Sequence, residues 1–325
     1  MSDAIHDVLG VGNAIVDIIA QADEAFLARH GMNKGGMALI EETQAHAIYA
    51  DMGTAIEASG GSAGNTIAGI ASFGGKAAFI GKVKDDEFGK IFRHDLTSLG
   101  VHFATPPATQ GAATARCLVL VTDDAQRTMN THLGACVDLT PDDIDADLVA
   151  ASAITYLEGY LFDPPLAKDA FRKAATIARG AGRKVALTLS DSFCVHRYKD
   201  EFKALIAEHV DILFANEHEV EALYGSTDIA AAADDLAAQV GVAAITLSAR
   251  GSLLVNGTQR VAVAAAPITE LVDTTGAGDL YAAGVLHGLS RGLPLAECGR
   301  LGSIAAAEVI QHYGARPQAR LAELA

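Results

Sequence analysis

The sequence predicts an α/β protein: a three-layer α/β/α sandwich around a mostly parallel sheet, with a small second β-sheet. Three observations carry this. From Ala153 onward, short apolar runs alternate with helical ones, the order expected when parallel strands are joined by crossover helices. The N-terminal part is instead β-rich, with Gly between its apolar runs. Finally, a tight Gly276-Ala277-Gly278 turn leads into the first of two closing helices.

In the N-terminal part, 8–20 and 37–40 read as strands. Residues 62–73, mostly small, read as a helix, and 112–122 with 126–132 read as a strand pair with Asp123-Asp124 in the turn. The strands of the alternating part are 153–157, 185–189, 211–214 and 243–247. The helices between them are 166–179, 197–209 and 229–240. Residues 252–255 and 260–264 suit a hairpin around Asn256-Gly257, a favoured turn pair. The apolar stretch 261–267 extends this last strand, and helices near 279–290 and 295–312 close the chain. A chain of 325 residues is long enough for one large α/β domain. Without repeats, low-complexity tracts or long linkers, the pieces are expected to form one compact unit.

Half of the residues are hydrophobic and none is Trp, so the core must rest on Ala, Val, Ile and Leu. The formal charge of −16 argues against a nucleic-acid or anionic-membrane partner. It does not argue against a local anion site. Cys117, Cys136, Cys194 and Cys298 lack C-x-x-C spacing and read as buried thiols in a reducing cytosol. The apolar run 8–20 is too short to span a bilayer and contains Asn13 and Asp17. No basic region precedes it, so the expected location is cytoplasmic.

The chemistry concentrates in Asp273-Thr274-Thr275-Gly276-Ala277-Gly278-Asp279. A bare Gly turn at a helix N-terminus exposes backbone N–H groups and a partial positive charge, a ready site for a phosphate. A carboxylate at its rim, Asp279, could take a proton from an attacking hydroxyl. Taken alone, Gly-Ala-Gly-Asp reads better with Asp279 as a simple helix N-cap. The full run, with the small pair Ala283-Gly284 after it, resembles the second signature of the ribokinase-like (PfkB) family of carbohydrate and nucleoside kinases. In that family the Gly-Ala-Gly segment forms the anion hole and the Asp is the general base. The resemblance implies those roles for Gly276, Ala277, Gly278 and Asp279. It also implies a ribokinase-like fold whose small sheet is a lid, formed by segments of about 12–56 and 101–135 within a single domain spanning 1–325.

Gly60-Gly61-Ser62-Ala63-Gly64-Asn65 resembles the first signature of the same family, where the Gly pair and the Asn hold sugar hydroxyls. Gly60, Gly61 and Asn65 take that role by resemblance. Asp17 interrupts an apolar strand, and a buried carboxylate needs partners. Val11-Gly12-Asn13-Ala14-Ile15-Val16-Asp17 resembles the substrate strand of the adenosine kinase branch, which assigns Asn13 and Asp17 to the ribose. The Gly10-x-Gly12 pair only half-matches a dinucleotide loop, because Ile15 stands at the third Gly.

Asn216 and Glu219 are spaced as a capping box. They also resemble the family's Asn-x-x-Glu motif, which places Asn216 at ATP and Glu219 at Mg2+ through water. Thr246 and Gly251 resemble the ATP-side loop, with Ser248 in place of its first Gly. Arg127 resembles an Arg that reaches the phosphates, and Tyr160 resembles an aromatic wall for the base.

The resemblance therefore implies an ATP- and Mg2+-dependent kinase acting on the 5′-hydroxyl of a purine nucleoside, adenosine first, in purine salvage. A monovalent cation such as K+ beside Asp273 and Thr275 stays open, as does a monomer against a lid-mediated homodimer. A sugar kinase for ribose or fructose is the alternative enzyme, and a non-catalytic nucleoside sensor is the alternative of another class.

Overall fold

The computed structural model describes residues 4–325 except 125 and 163. In chain order the strands are β1 His6–Val11, β2 Ile15–Gln21, β3 Met37–Leu39, β4 Ala55–Ser59, β5 Ala77–Ile80, β6 Ala115–Val121, β7 Arg127–His132, β8 Ser152–Glu158, β9 Lys184–Thr188, β10 Ile212–Asn216, β11 Val242–Thr246, β12 Ser252–Asn256 and β13 Gln259–Val263. Eight of them form the larger sheet, in the order β13-β12-β11-β10-β9-β8-β1-β5. The pairs from β5 to β11 are parallel, and β12 and β13 fold back antiparallel as a hairpin.

Burial in the larger sheet follows the two-residue pleat. Leu9, Val11, Leu157, Val185, Leu187 and Ile245 face one apolar layer, packed on helices Pro165–Gly180, Lys199–His209 and Ile229–Gln239. Val8, Ile154, Tyr156, Ala186, Phe214 and Ala244 face the other, packed on helices Ser62–Ser72, Ala277–Ser290 and Leu295–Val309. Both faces are covered, as parallel sheets require. No helix among the described residues is long and apolar enough to cross a membrane.

The second sheet has the order β3-β7-β6-β2-β4. Its strand β2 alternates strictly: Val16, Ile18 and Ala20 are buried, while Ile15, Asp17 and Ile19 are partly open. The buried set joins Phe26, Leu27, Ala45 and Ile48 from helices Glu24–Arg29 and Glu42–Asp51 in the larger apolar cluster.

Four readings of the sequence are corrected. The run 8–20 is two strands in different sheets, because the chain leaves the core after Val11 and enters the second sheet at Ile15. Continuous apolarity cannot mark such a crossing. The helix expected at 197–209 is two helices, Ser192–Arg197 and Lys199–His209, broken at Tyr198 (φ −123°, ψ 28°), whose ring lies under Lys168. The strand 261–267 stops at Val263, and the helix 295–312 stops at Val309. The short strands β4 and β5 are not among the strands expected from the sequence.

Gly284 lies where the two closing helices cross. A Cβ there would collide with the backbone of Leu301 and Gly302. Overpacking costs about 1–3 kcal/mol, against a gain in helix propensity of up to about 1 kcal/mol. Gly284→Ala is therefore expected to lower the melting temperature, and an unchanged or raised value in a thermal melt would contradict the packing assigned here.

Candidate active site

A cleft of about 720 Å3 opens between the larger sheet and the second sheet. It lies at the C-terminal ends of the parallel strands, where ligands bind in open α/β sheets. Residues just at or beyond those ends, Asn13, Glu158, Thr188, Asn216 and Thr246, line it.

The helix carrying Asp279 is capped by Gly276 at φ 79°, a left-handed conformation that suits Gly. A Cβ at Gly276 would also come 2.8 Å from the backbone of Ala315. Asp279 is thus the third residue of the helix, not its N-cap. Its side chain is therefore free to leave the helix end. It accepts hydrogen bonds from Ser62 Oγ at 2.6 Å and Asn65 Nδ2 at 3.0 Å. Both donors sit in the first turn of the Ser62–Ser72 helix. Burial raises the pKa of Asp279, and these two bonds oppose the rise. Gly276 and Gly278 line the cleft beside it. Ala277 does not, and its N–H bonds to Thr274 O at 3.2 Å.

At the inner end, Asn13, Asp17, Gly61 and Asn65 converge. Gly60 is set behind Asp17 rather than in the cleft, and a Cβ there would collide with the Asp17 carboxylate. Burial pushes Asp17 up to about 7, with Arg316 and Arg127 pulling it down. Gly61 adopts φ 79°, and a Cβ there would strike the Asn13 carbonyl, so both backbone and space suit Gly. Asn13 is held by Glu158, which accepts from Asn13 Nδ2 at 2.7 Å and Asn13 N at 3.3 Å. Glu158 also accepts from Ala63 N at 2.8 Å, and burial raises it to about 7. Sequence reasoning missed Glu158. A charged residue closing the apolar run 153–157 was the available signal.

Arg127, at the start of β7, forms an ion pair with Asp273 and donates to Thr275 Oγ1 at 2.7 Å. It therefore ties the second sheet to the Gly turn instead of pointing into solvent. At the other end Asn216 caps helix Glu217–Tyr224 in a capping box with Glu219. Asn216 N and Nδ2 donate to the Glu219 carboxylate at 2.9 and 2.8 Å. Burial pushes Glu219 up to about 7, helped by Asp191 and Asp279. Thr246 and Tyr160 line the cleft. Gly251 does not: at φ 88° it turns the chain where a side chain would meet the Val263 carbonyl. Ser190, at φ 67°, and Phe193, 77 % exposed, line the cleft and were not singled out as site residues.

Residues 50–320 match the model of the pfkB family of carbohydrate kinases. The fold superposes on the adenosine kinase of Sinorhizobium meliloti with a TM-score of 0.93, at 54% identity over 99% of this chain and 98% of that one. A probable sugar kinase from Rhizobium etli superposes equally well, TM-score 0.93, at 49% identity over 99% and 98%. The adenosine kinase of Saccharomyces cerevisiae is 27% identical over 94% of both chains. An enzyme that transfers a phosphoryl group to an alcohol accounts for both signatures, the ribokinase-like fold and the carboxylate beside the Gly turn: this chain belongs to the pfkB carbohydrate kinase family, as a phosphotransferase similar to adenosine kinases.

Proposed function

We propose that this protein phosphorylates the 5′-hydroxyl of a purine nucleoside, adenosine first, with ATP as donor. The observation that carries the acceptor class is the two-part character of the cleft. Its inner end is polar, with Asn13, Asp17, Asn65 and Asp279. The wall supplied by the second sheet is apolar: Ile15, Ile19, Met37, Leu39, Val119 and Met129. Met37 and Leu39 are 46% and 48% exposed on that wall. A nucleoside matches both parts, with hydroxyls at the carboxylates and a flat base on the apolar wall. A free sugar would leave its hydroxyls against methionine and leucine, which is unfavourable.

In this reading Asp17 and Asn65 hold the ribose, and Asp279 faces the 5′-hydroxyl. The hydroxyl oxygen attacks the terminal phosphorus of ATP, its proton passes to Asp279, and the bond to the ADP oxygen breaks. A carboxylate whose pKa is raised toward the working pH suits this task. The Gly276 and Gly278 backbone and the helix N-terminus would stabilise the charge on the transferred group, with Arg127 close by. The buried carboxylate of Glu219, crowded by Asp191 and Asp279, fits a hydrated divalent cation, since Mg2+ keeps most of its waters. When bound, Mg2+ would neutralise phosphate charge. The second sheet would act as a lid that excludes water, closing through the Arg127–Asp273 contact.

Three measurements test this. In a substrate panel read by ADP release, adenosine is expected to be turned over with higher kcat/KM than inosine, ribose or fructose. A preference for a free sugar would replace the nucleoside reading with the sugar-kinase one. Asp279→Asn is expected to lower kcat by about 100- to 10,000-fold, the usual worth of a general base, with little change in adenosine binding. Near-native kcat would remove the base from Asp279. Arg127 already contacts Asp273 and Thr275, beside which the resemblance sets a monovalent cation. Replacing potassium by choline is therefore expected to leave turnover unchanged, and a marked loss would put a cation back in the site.

A further inference from the structure

We propose that Arg316 is a positioning residue for the acceptor, holding Asn65 in its working arrangement from behind the polar end of the cleft. This rests on the kinase reading above.

The placement of Arg316 comes from the segment after the last long helix. Gly314 N donates to Asp273 at 3.2 Å, and Ala315 packs on Gly276. The chain thus runs along the Gly turn and delivers Arg316 beside the Ser62–Ser72 helix. There, a Cβ on Gly64 would sit 3.4 Å from Arg316 Nη2. Gly64 leaves the space that the guanidinium occupies.

One substrate-end group meets this cation. Arg316 Nε lies 3.5 Å from Asn65 Oδ1, at the long limit of a hydrogen bond. The same amide donates through Nδ2 to Asp279. A flipped amide would turn its oxygen toward a carboxylate, a repulsive contact. A donor at Oδ1 selects the orientation that serves Asp279. Burial raises Asp17, and Arg316, more than Arg127, opposes that rise. Arg127 is already paired with Asp273. Arg316 forms no direct ion pair among the described residues, and its Nη2 is buried without a hydrogen-bond partner among them. The nearby Asp95 is itself engaged by Ser59 N and Oγ at 3.1 and 2.8 Å. A guanidinium nitrogen buried without a partner is a cost to folding. It is consistent with a residue kept for the site rather than for stability.

The test is the KM for adenosine, with calorimetric binding of adenosine in the absence of ATP as a readout free of turnover. Arg316→Met is expected to raise both constants by on the order of tenfold, the worth of losing a charged donor, while the KM for ATP stays unchanged. Arg316→Lys, which keeps the charge, is expected to recover part of the loss. In an Asn65→Ala background, Arg316→Met is expected to add less than it does alone, because residues in contact are non-additive. Should Arg316→Met not fold, Arg316→Gln is read the same way, with weakened adenosine binding expected. Unchanged adenosine binding in the neutral variants, an equal rise in the KM for ATP, or full additivity with Asn65→Ala would overturn the inference. Wild-type protein that binds adenosine but releases no ADP would instead overturn the kinase reading, and leaves the binding comparison of the Arg316 variants decisive for the inference.

Discussion

The Asp279 carboxylate is where two helix beginnings are tied together, and the geometry of the cleft depends on that tie. Taking a carboxylate out of water is costly unless donors replace the water. Ser62 and Asn65 supply them, and bonds to a charged acceptor are the stronger kind. For this to work, the Ser62–Ser72 and Ala277–Ser290 helices must approach closely. Small residues permit it: a Cβ on Gly69 would come 2.6 Å from Ala283 Cβ and 2.8 Å from Leu280. Packing of the core and aim of the carboxylate are therefore one constraint.

A second constraint governs the passage from core to second sheet. The chain crosses at Gly12-Asn13-Ala14, between β1 and β2. Glu158 clamps the crossing by accepting from both nitrogens of Asn13 while also accepting from Ala63 N. Gly12 is required there, since a side chain would strike the Glu158 carboxylate. Arg127 makes the return contact from the second sheet to Asp273. The wall above the cleft is thus anchored at both ends, and the pleat of β2 decides that Ile15, Asp17 and Ile19 look into it.

The cleft gathers carboxylates in a protein of formal charge −16. Asp17, Glu158 and Glu219 are each pushed up to about 7 by burial. Backbone N–H groups and a helix end supply positive potential at the Gly turn that does not depend on net charge. Arg127 adds a side-chain cation at the same turn. In the proposed reading, this separation along one cleft, acidic at one end and positive at the Gly turn, serves a transfer from phosphate to alcohol.

Residue order alone determined the alternating α/β layout, the Gly turn with its helix, and the Asn216–Glu219 cap. Periodicity, turn chemistry and capping act over a few residues, so they can be read locally. The same locality hid the break at Tyr198 and the split of 8–20 between two sheets, since an apolar run looks alike whichever sheet buries it. The motif residues Asn13, Asp17, Gly61, Asn65 and Asp279 were legible as candidates, and the fold brings them together. That Gly60 and Gly251 stand back from the cleft, that Arg127 is paired, and that Glu158 and Arg316 stand behind Asn13 and Asn65 were decided only by tertiary structure. Asn65 and Asp279 are 214 positions apart, and Asn65 and Arg316 are 251 apart. Contacts across such separations depend on how helices pack and which way the pleat turns a side chain, and no local pattern in the chain records either.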